Sequence, residues 1–384
     1  MWFRGLAVPL VLCGCAIAGN DDPMSATAEE VKLSSALVDA DFTRPLDKAA
    51  IRAPQTWLDD AAFEVKWTTM MTAPIELLGG ADSAYFADLA TLPAKRLPGH
   101  EVLCHGDPKF DNFGWIDVSG TSQFADSDFD DADYCPVAAD ALRYLVATDL
   151  EFSDPDLDEA ALDAYVASVE HDSGVVDIDP GSAPDWAKVH TKELAKSVAG
   201  DSLILGGEVQ AATAHEIEAV AALVADDWRL PPTLVDVARD VRTDGGSAGW
   251  RRFWLLTEDY DGSRTIIELK EIGIPGPTFG RQSQSLDGAD RMDVLTKLWL
   301  GAIDELDDYE VDLRDRLSRQ NANPDKMTSD QITNVIQAEA SMLGVRHRSA
   351  WGDVKSKKLT SWLRASAATL VSRWRATYAR GGGS

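Results

Sequence analysis

The chain has 384 residues and is short of positive charge, of cysteine and of histidine. Lys and Arg total 36 against 64 Asp and Glu, a net charge of −28. That sign repels polyphosphate backbones, which excludes general DNA or RNA binding; a bound nucleotide would need a divalent cation or a local basic patch. Four cysteines are too few for a disulfide-built scaffold. The six histidines are scattered, with neither zinc spacing nor a readable Ser/His/Asp order. No apolar run approaches the length that a multispan membrane protein requires, and no fixed-period repeat is visible. What is present is the composition of an ordinary globular protein, 45% hydrophobic and 26% charged. The length suits two or three domains and a full core.

The N-terminus carries a localisation signal. Met1–Arg4 is a short basic region, Leu6–Leu12 an apolar stretch of secretory length, and Leu12-Cys13-Gly14-Cys15 follows. The last four residues resemble the lipobox of bacterial lipoproteins. The expectation is a signal peptide over 1–14, lipidation at Cys15, and a mature chain held at the cell envelope, facing the periplasm or the exterior. Small, polar and acidic residues then read as a tether, assigned to 15–44. Apart from the lipidated Cys15, only Cys104 and Cys135 remain in the mature chain; they are either a disulfide pair or two buried thiols.

Along the body, 45–95 reads as helices broken at Pro54 and Pro74, and 101–130 as strand, polar loop and two further strands. Apolar residues at helical spacing mark 136–150, 158–170 and 209–227. A glycine-rich stretch, Gly245–Gly249, precedes strand-like runs over 250–258 and 264–271, joined at Asp261-Gly262. The remainder, 287–380, reads as mostly helical. Its last part is basic, with nine Lys or Arg and one acid, Asp353, between Arg346 and Arg380. That pattern suits either a packed helix with a solvated basic face or an amphipathic helix on anionic lipid.

The segment richest in chemistry is His105-Gly-Asp107-Pro-Lys-Phe-Asp-Asn112, followed by Asp126-Ser-Asp128-Phe-Asp130. Phosphoryl transfer needs a carboxylate to orient the acceptor hydroxyl, and Mg held by few protein oxygens. Asp107 is the candidate base. Asn112 and Asp128 are candidate Mg ligands, and Asp130 is a second-metal or supporting residue. A calcium loop is a poorer match, because Asp131 and Val137 stand where Gly and Glu are required. A solvated acidic turn is the bland alternative. Downstream, Gly245, Gly246, Ser247 and Gly249 would bring backbone N–H groups to phosphates, and Lys270 would meet them as a point charge. Glu268, two residues earlier on the same strand face, is expected either to pair with Lys270 or to narrow the pocket.

These loops resemble those of protein-kinase-like folds, in the style of aminoglycoside phosphotransferases and choline kinases, where His105 would support the loop and Asp140 would be a family aspartate rather than a simple helix cap. The whole set resembles one bacterial domain-of-unknown-function family, number 2252. The resemblance rests on Gly106–Gly114, Ser127–Ala132, Gly246–Arg251 and Ile267–Ile272, with Met71–Gly80, Asp236–Asp240 and Arg346–Ser349 as further landmarks. It covers roughly 60–355. Three positions depart from the family pattern: Lys109 replaces a histidine, Gly79 an arginine and Glu268 a glutamine.

The resulting expectation is an α+β, bilobal, protein-kinase-like fold, circularly permuted, with additional helices. A lobe with catalytic and metal loops would span 45–235, a small β-rich lobe 236–286 and a helical part 287–384. The expected function is Mg- and ATP-dependent phosphoryl transfer to a hydroxyl of a protein or small molecule. The alternative is a catalytically inactive, lipid-anchored binding protein on the same scaffold.

Overall fold

The computed structural model describes residues 31–382 apart from 119–120, 127, 129, 171–181, 226–232, 244, 247, 272, 287–310, 316 and 318. The lipobox cysteine Cys15 and Ser247 of the glycine-rich stretch therefore lie outside the described residues. Four helices open the body: α1 (Lys48–Arg52), α2 (Asp60–Met70), α3 (Pro74–Gly80) and α4 (Asp82–Leu89). Asp47 and Asp59 start the first two by accepting from the N–H groups of Ala50 and Ala62, and Pro74 starts the third. Leu37, Phe42 and Leu46 are buried against this body, so packed structure begins within the stretch assigned to the tether.

Strand β1 (Glu101–Cys104) pairs antiparallel with β4 (Asp133–Pro136), and the hairpin β2 (Phe113–Val118) and β3 (Thr121–Asp126) lies between them in sequence. A disulfide joins Cys104 to Cys135 and so ties β1 to β4. The buried helix α5 (Val137–Phe152) leaves β4 directly, and α6 (Pro155–Glu170) returns along it.

Next come α7 (Trp186–Ser197), the short hairpin β5 (Val198–Ala199) and β6 (Ser202–Leu203), β7 (Val209–Ala211) and α8 (Ala214–Val224). The single helix expected over 209–227 is thus a strand and a helix. The divider is Thr213, whose hydroxyl accepts from Glu216 N–H while the Glu216 carboxylate accepts from Thr213 N–H at 2.8 Å.

Strands β8 (Thr233–Asp240), β9 (Arg252–Glu258), β10 (Arg264–Glu271) and β11 (Val311–Asp315) complete an antiparallel sheet in the order β11-β10-β9-β8-β7. Strand β12 (Arg319–Asn321) joins the β2–β3 hairpin, and α9 (Ser329–Trp351) and α10 (Ser356–Arg380) end the chain. Within 287–380, the helical expectation fails at β11 and β12. Val311-Asp-Leu-Arg-Asp alternates with period two, and the edge of β10 supplies its partner.

The fold is α+β with one large helical core and two small ones against the sheet. Leu255, Ile267 and Leu269 pack with Val220 of α8 on one sheet face. Leu256 and Ile266 pack with Leu203 on the other. In α10, Leu359, Trp362, Leu363, Leu370 and Trp374 form a buried stripe belonging to the large core. Burial of such side chains stabilises by roughly 2 kcal/mol each. The apolar face that a lipid-binding helix would insert is therefore already used by the protein.

Candidate functional site

The loop after β1 is fixed by backbone geometry and one buried acid. Gly106 has φ +88°, and a Cβ there would lie 1.8 Å from the Asp131 carbonyl oxygen, so only glycine fits. Asp140, fully buried in α5, accepts from His105 N–H at 2.8 Å and Gly106 N–H at 3.0 Å. It does not cap the helix, whose N-cap is Pro136. Behind it, Trp351 Nε1 donates to the Tyr165 hydroxyl at 2.7 Å, and that hydroxyl meets His347 Nδ1 at 2.8 Å. The other ring nitrogen of His347, Nε2, lies 3.1 Å from Asp140 Oδ2. Burial opposes ionisation of Asp140, but His347, His105 and the backbone donors outweigh it and hold its pKa below the usual carboxylate range.

Asp107 lies in the centre of the loop. Its Oδ1 receives Arg143 of α5 through Nε at 3.2 Å and through Nη2 at shorter range, and its Oδ2 lies 3.4 Å from Lys109 Nζ. Asn112 Nδ2 donates to the Asp107 carbonyl at 2.7 Å and to Oδ2 at 3.3 Å. Burial raises the pKa of Asp107, yet Lys109 and Arg143 overcome it and keep the carboxylate ionised. Arg143 also reaches Asp82 at 3.1 Å. Asp82 is pushed well above the carboxylate range, first by burial and then by Asp131 and Asp107 despite Arg143. His105 points away from this cluster: its Nε2 contacts Asp126 in a buried pair, and its Nδ1 accepts from Asp107 N–H at 3.3 Å. It therefore supports the loop rather than entering the site.

The metal-loop residues meet the sheet here. On β10, Glu268 and Lys270 share the face of Ile266, and Lys270 is buried. Lys270 Nζ makes a close ion pair with Asp130 and lies 3.7 Å from Asp128 Oδ1, while Arg319 of β12 lies 3.8 Å from Asp128 Oδ2. Burial and the neighbouring Asp128 push Asp130 up to about 7 in spite of Lys270. Asp130 is thus the ion-pair partner of Lys270. Glu268 is paired with Arg252 of β9 at 3.5 Å, not with Lys270. Arg252 sits opposite Lys270 in the register, one diagonal step from Glu268.

The glycine-rich stretch lies against the helical part. Trp57 stacks on Trp250 at 5.2 Å and donates from Nε1 to the Ala248 carbonyl at 3.3 Å. Lys66 of α2 donates to the Gly246 carbonyl at 3.2 Å. Lys66 is buried, which drives its pKa down to about 8 although Asp131 and Asp82 oppose the fall. A Cβ on Gly246 would stand 3.3 Å from Asp131 Oδ2, so the loop touches the metal loop directly. Lys66, Asp82, Asp130, Asp131, Gly246 and the two tryptophans line a pocket of about 20 Å³, room for one water-sized body.

Asp107, Asn112, Asp128, Lys270 and the glycine-rich loop are therefore gathered into one region, as their spacing suggested. Sequence reasoning missed Lys66, Asp82, Asp131 and Arg143. The available signal was a lone charge inside an apolar run, as Arg143 is within Ala141–Ala147. Among the described residues, the one trio of potential ligands within 4.8 Å is Cys104, Cys135 and Asp140, where the two sulfurs are bonded to each other. No protein-family model, curated protein or solved structure matches the chain.

Proposed function

We propose that the chain is a phosphotransferase of bilobal, circularly permuted, protein-kinase-like build, related to the 2252 family, and that it moves a phosphoryl group from a Mg-nucleotide to a hydroxyl of a protein or small molecule. The carrying observation is convergence: Lys270 of the five-stranded sheet lies 3.7 Å from Asp128, while Asp107 is locked to Asn112 and to α5 across the same region. A strand, a glycine-rich loop, a strand and a lysine-bearing strand follow one another in that sheet, which supports the permuted reading.

In this reading Asp107 orients the acceptor hydroxyl and accepts its proton, with Arg143 holding the carboxylate in place. Lys109 and Lys270 present positive charge to the moving phosphoryl group. The oxygen donors Asn112 and Asp128 suit a hard cation, and a site with few protein carboxylates suits Mg in particular, which retains waters and phosphate oxygens. Mg would neutralise phosphate charge and align the leaving oxygen.

Two family departures compensate one another. A Cβ at Gly79 would lie 3.2 Å from Lys109 Nζ. Loss of an arginine at 79 and gain of a lysine at 109 therefore leave a cation at the same place.

A second reading, the inactive binding scaffold, is favoured by the 20 Å³ pocket, which is far too small for a triphosphate until the glycine-rich loop lifts. The experiment is thermal melting of the full chain with and without Mg-ATP, for the wild type and Asp128→Ala. Ligand at about 100 times its dissociation constant adds roughly 2.7 kcal/mol, a rise of a few degrees. A magnesium-dependent rise that Asp128→Ala abolishes is the expected result. A cooperative melt indifferent to every nucleotide refutes the phosphotransferase and leaves the binding scaffold.

A further inference from the structure

Residues 1–30 join the described body beside α10. Ser35 accepts from Arg96 Nη1 at 2.9 Å and from Trp362 Nε1 at 3.4 Å, and Leu37 N–H donates to Ser366 at 3.0 Å. Within two helical turns before Trp362, α10 begins with Lys355 at the N-cap, then Lys357 and Lys358, all exposed. The first turn holds no acid, no side chain caps it, and among the described residues none of these lysines has an ion-pair partner. A helix N-terminus carries partial positive charge, so three lysines there work against the helix unless an anion from elsewhere compensates them. Exposed Lys32 lies on the joining segment itself, and exposed Lys95 neighbours Arg96, which grips that segment. The loop behind Lys95 reaches the start of the same corner, where His100 N–H donates to the Ala350 carbonyl. Asp353 is the one acid within Arg346–Arg380. A chain of net charge −28 thus carries five exposed lysines, without ion-pair partners among the described residues, on the segments that meet at the root of its N-terminal segment.

We propose that this corner docks on an anionic phospholipid bilayer and fixes how the body sits on the membrane. The inference is independent of the phosphotransferase reading. It takes the partner from charge complementarity and from the length of chain outside the described body. Sixteen residues separate Cys15 from residue 31, so the covalent chain reaches at most about 55 Å, which keeps this corner within reach of a bilayer that holds Cys15. Each lysine close to an anionic surface strengthens partitioning about fivefold.

The test uses the full chain carrying Cys15→Ser, so that no acyl chain contributes. Partitioning is measured on vesicles of pure phosphatidylcholine and on vesicles with 30 mol% phosphatidylglycerol. Two triple variants carry the same charge change: Lys355→Ala/Lys357→Ala/Lys358→Ala, and Lys188→Ala/Lys192→Ala/Lys196→Ala on α7. Melting curves confirm that each variant is folded. The expected result is a preference for anionic vesicles that falls about a hundredfold in the first variant and stays within about threefold of the parent in the second. Equal binding to both vesicle types overturns the proposal, and is the outcome if the acidic N-terminal residues themselves occupy the lysines. Equal losses in the two variants overturn it as well, since net charge alone would then be responsible.

Discussion

Lys66 offers the sharpest check on the electrostatics of the site. Its ammonium is buried beneath the Gly246 carbonyl, and its pKa falls from 10.5 to about 8 because burial disfavours charge more than Asp131 and Asp82 restore it. That fall corresponds to about 3 kcal/mol. Between pH 8 and 10.5 the unfolded chain holds a proton on Lys66 that the folded chain has released, so stability must rise with pH through that window. Below pH 8 both states hold the proton, and the full cost of burying the charge is present. Lys66→Met keeps the volume and removes the charge. At pH 7 the variant should be more stable by about 2 kcal/mol, the 3 kcal/mol cost reduced by about 1 kcal/mol for the lost hydrogen bond. Urea unfolding of both proteins at pH 7, 8, 9 and 10 reads the difference directly. The gap should shrink as pH rises, and curves that stay parallel across the window would refute the buried-charge argument.

Three further outcomes follow from the same contacts. Asp130→Asn should flatten the acid side of the stability profile: between 3.8 and about 7 the folded protein holds a proton that the unfolded chain lacks, so the wild type loses stability as pH rises there and the variant does not. Asp140→Ala orphans two loop N–H groups and His347, which should cost about 3–5 kcal/mol in denaturant unfolding; a cost below about 1 kcal/mol would refute its role as loop anchor. Cys104→Ser/Cys135→Ser opens a bridge with sequence separation 31 and should cost about 3–4 kcal/mol, whereas unchanged melting under reducing and oxidising conditions would contradict the bond.

The parts of the site that were legible lie in local patterns. Period-two alternation placed Lys270 and Glu268 on one face of a strand, and Asp261-Gly262 marked the hairpin before it, where Gly262 adopts φ +82°. The order base loop, hairpin and metal loop could be read from residue types over 105–130. What stayed hidden depends on pairing across long sequence distances. Strands β7 and β11 are short edges whose partners are chosen by the sheet, and nothing local separates them from a helix or a loop. Lys66 looks like a solvent-facing helix residue, because its burial becomes recognisable only when its counter-charges from other elements are known. Glu268 illustrates the same limit: its face was correct, and its partner Arg252 became visible only through the register of β9 against β10.

On the proposed phosphotransferase reading, the glycine-rich loop is what separates turnover from passive binding. Trp57, stacked on Trp250, and Lys66 hold the loop carbonyls at Ala248 and Gly246, and the pocket beneath has room for one water-sized body. Backbone carbonyls are the wrong polarity for phosphate, and Asp131 stands against Gly246. In the phosphotransferase reading, a nucleotide entering here would have to break the Lys66 contact and move Trp57 from Ala248. Once released from Gly246, Lys66 would face the same space as Lys270, so the contact that closes the loop would also supply a cation when it opens. Quenching of Trp57 and Trp250 fluorescence on adding Mg-ATP should report that release, and substitution of Lys66 by Met should leave the loop easier to open but the nucleotide more weakly held. A variant that opens more easily and binds more tightly would mean that Lys66 acts only as a latch.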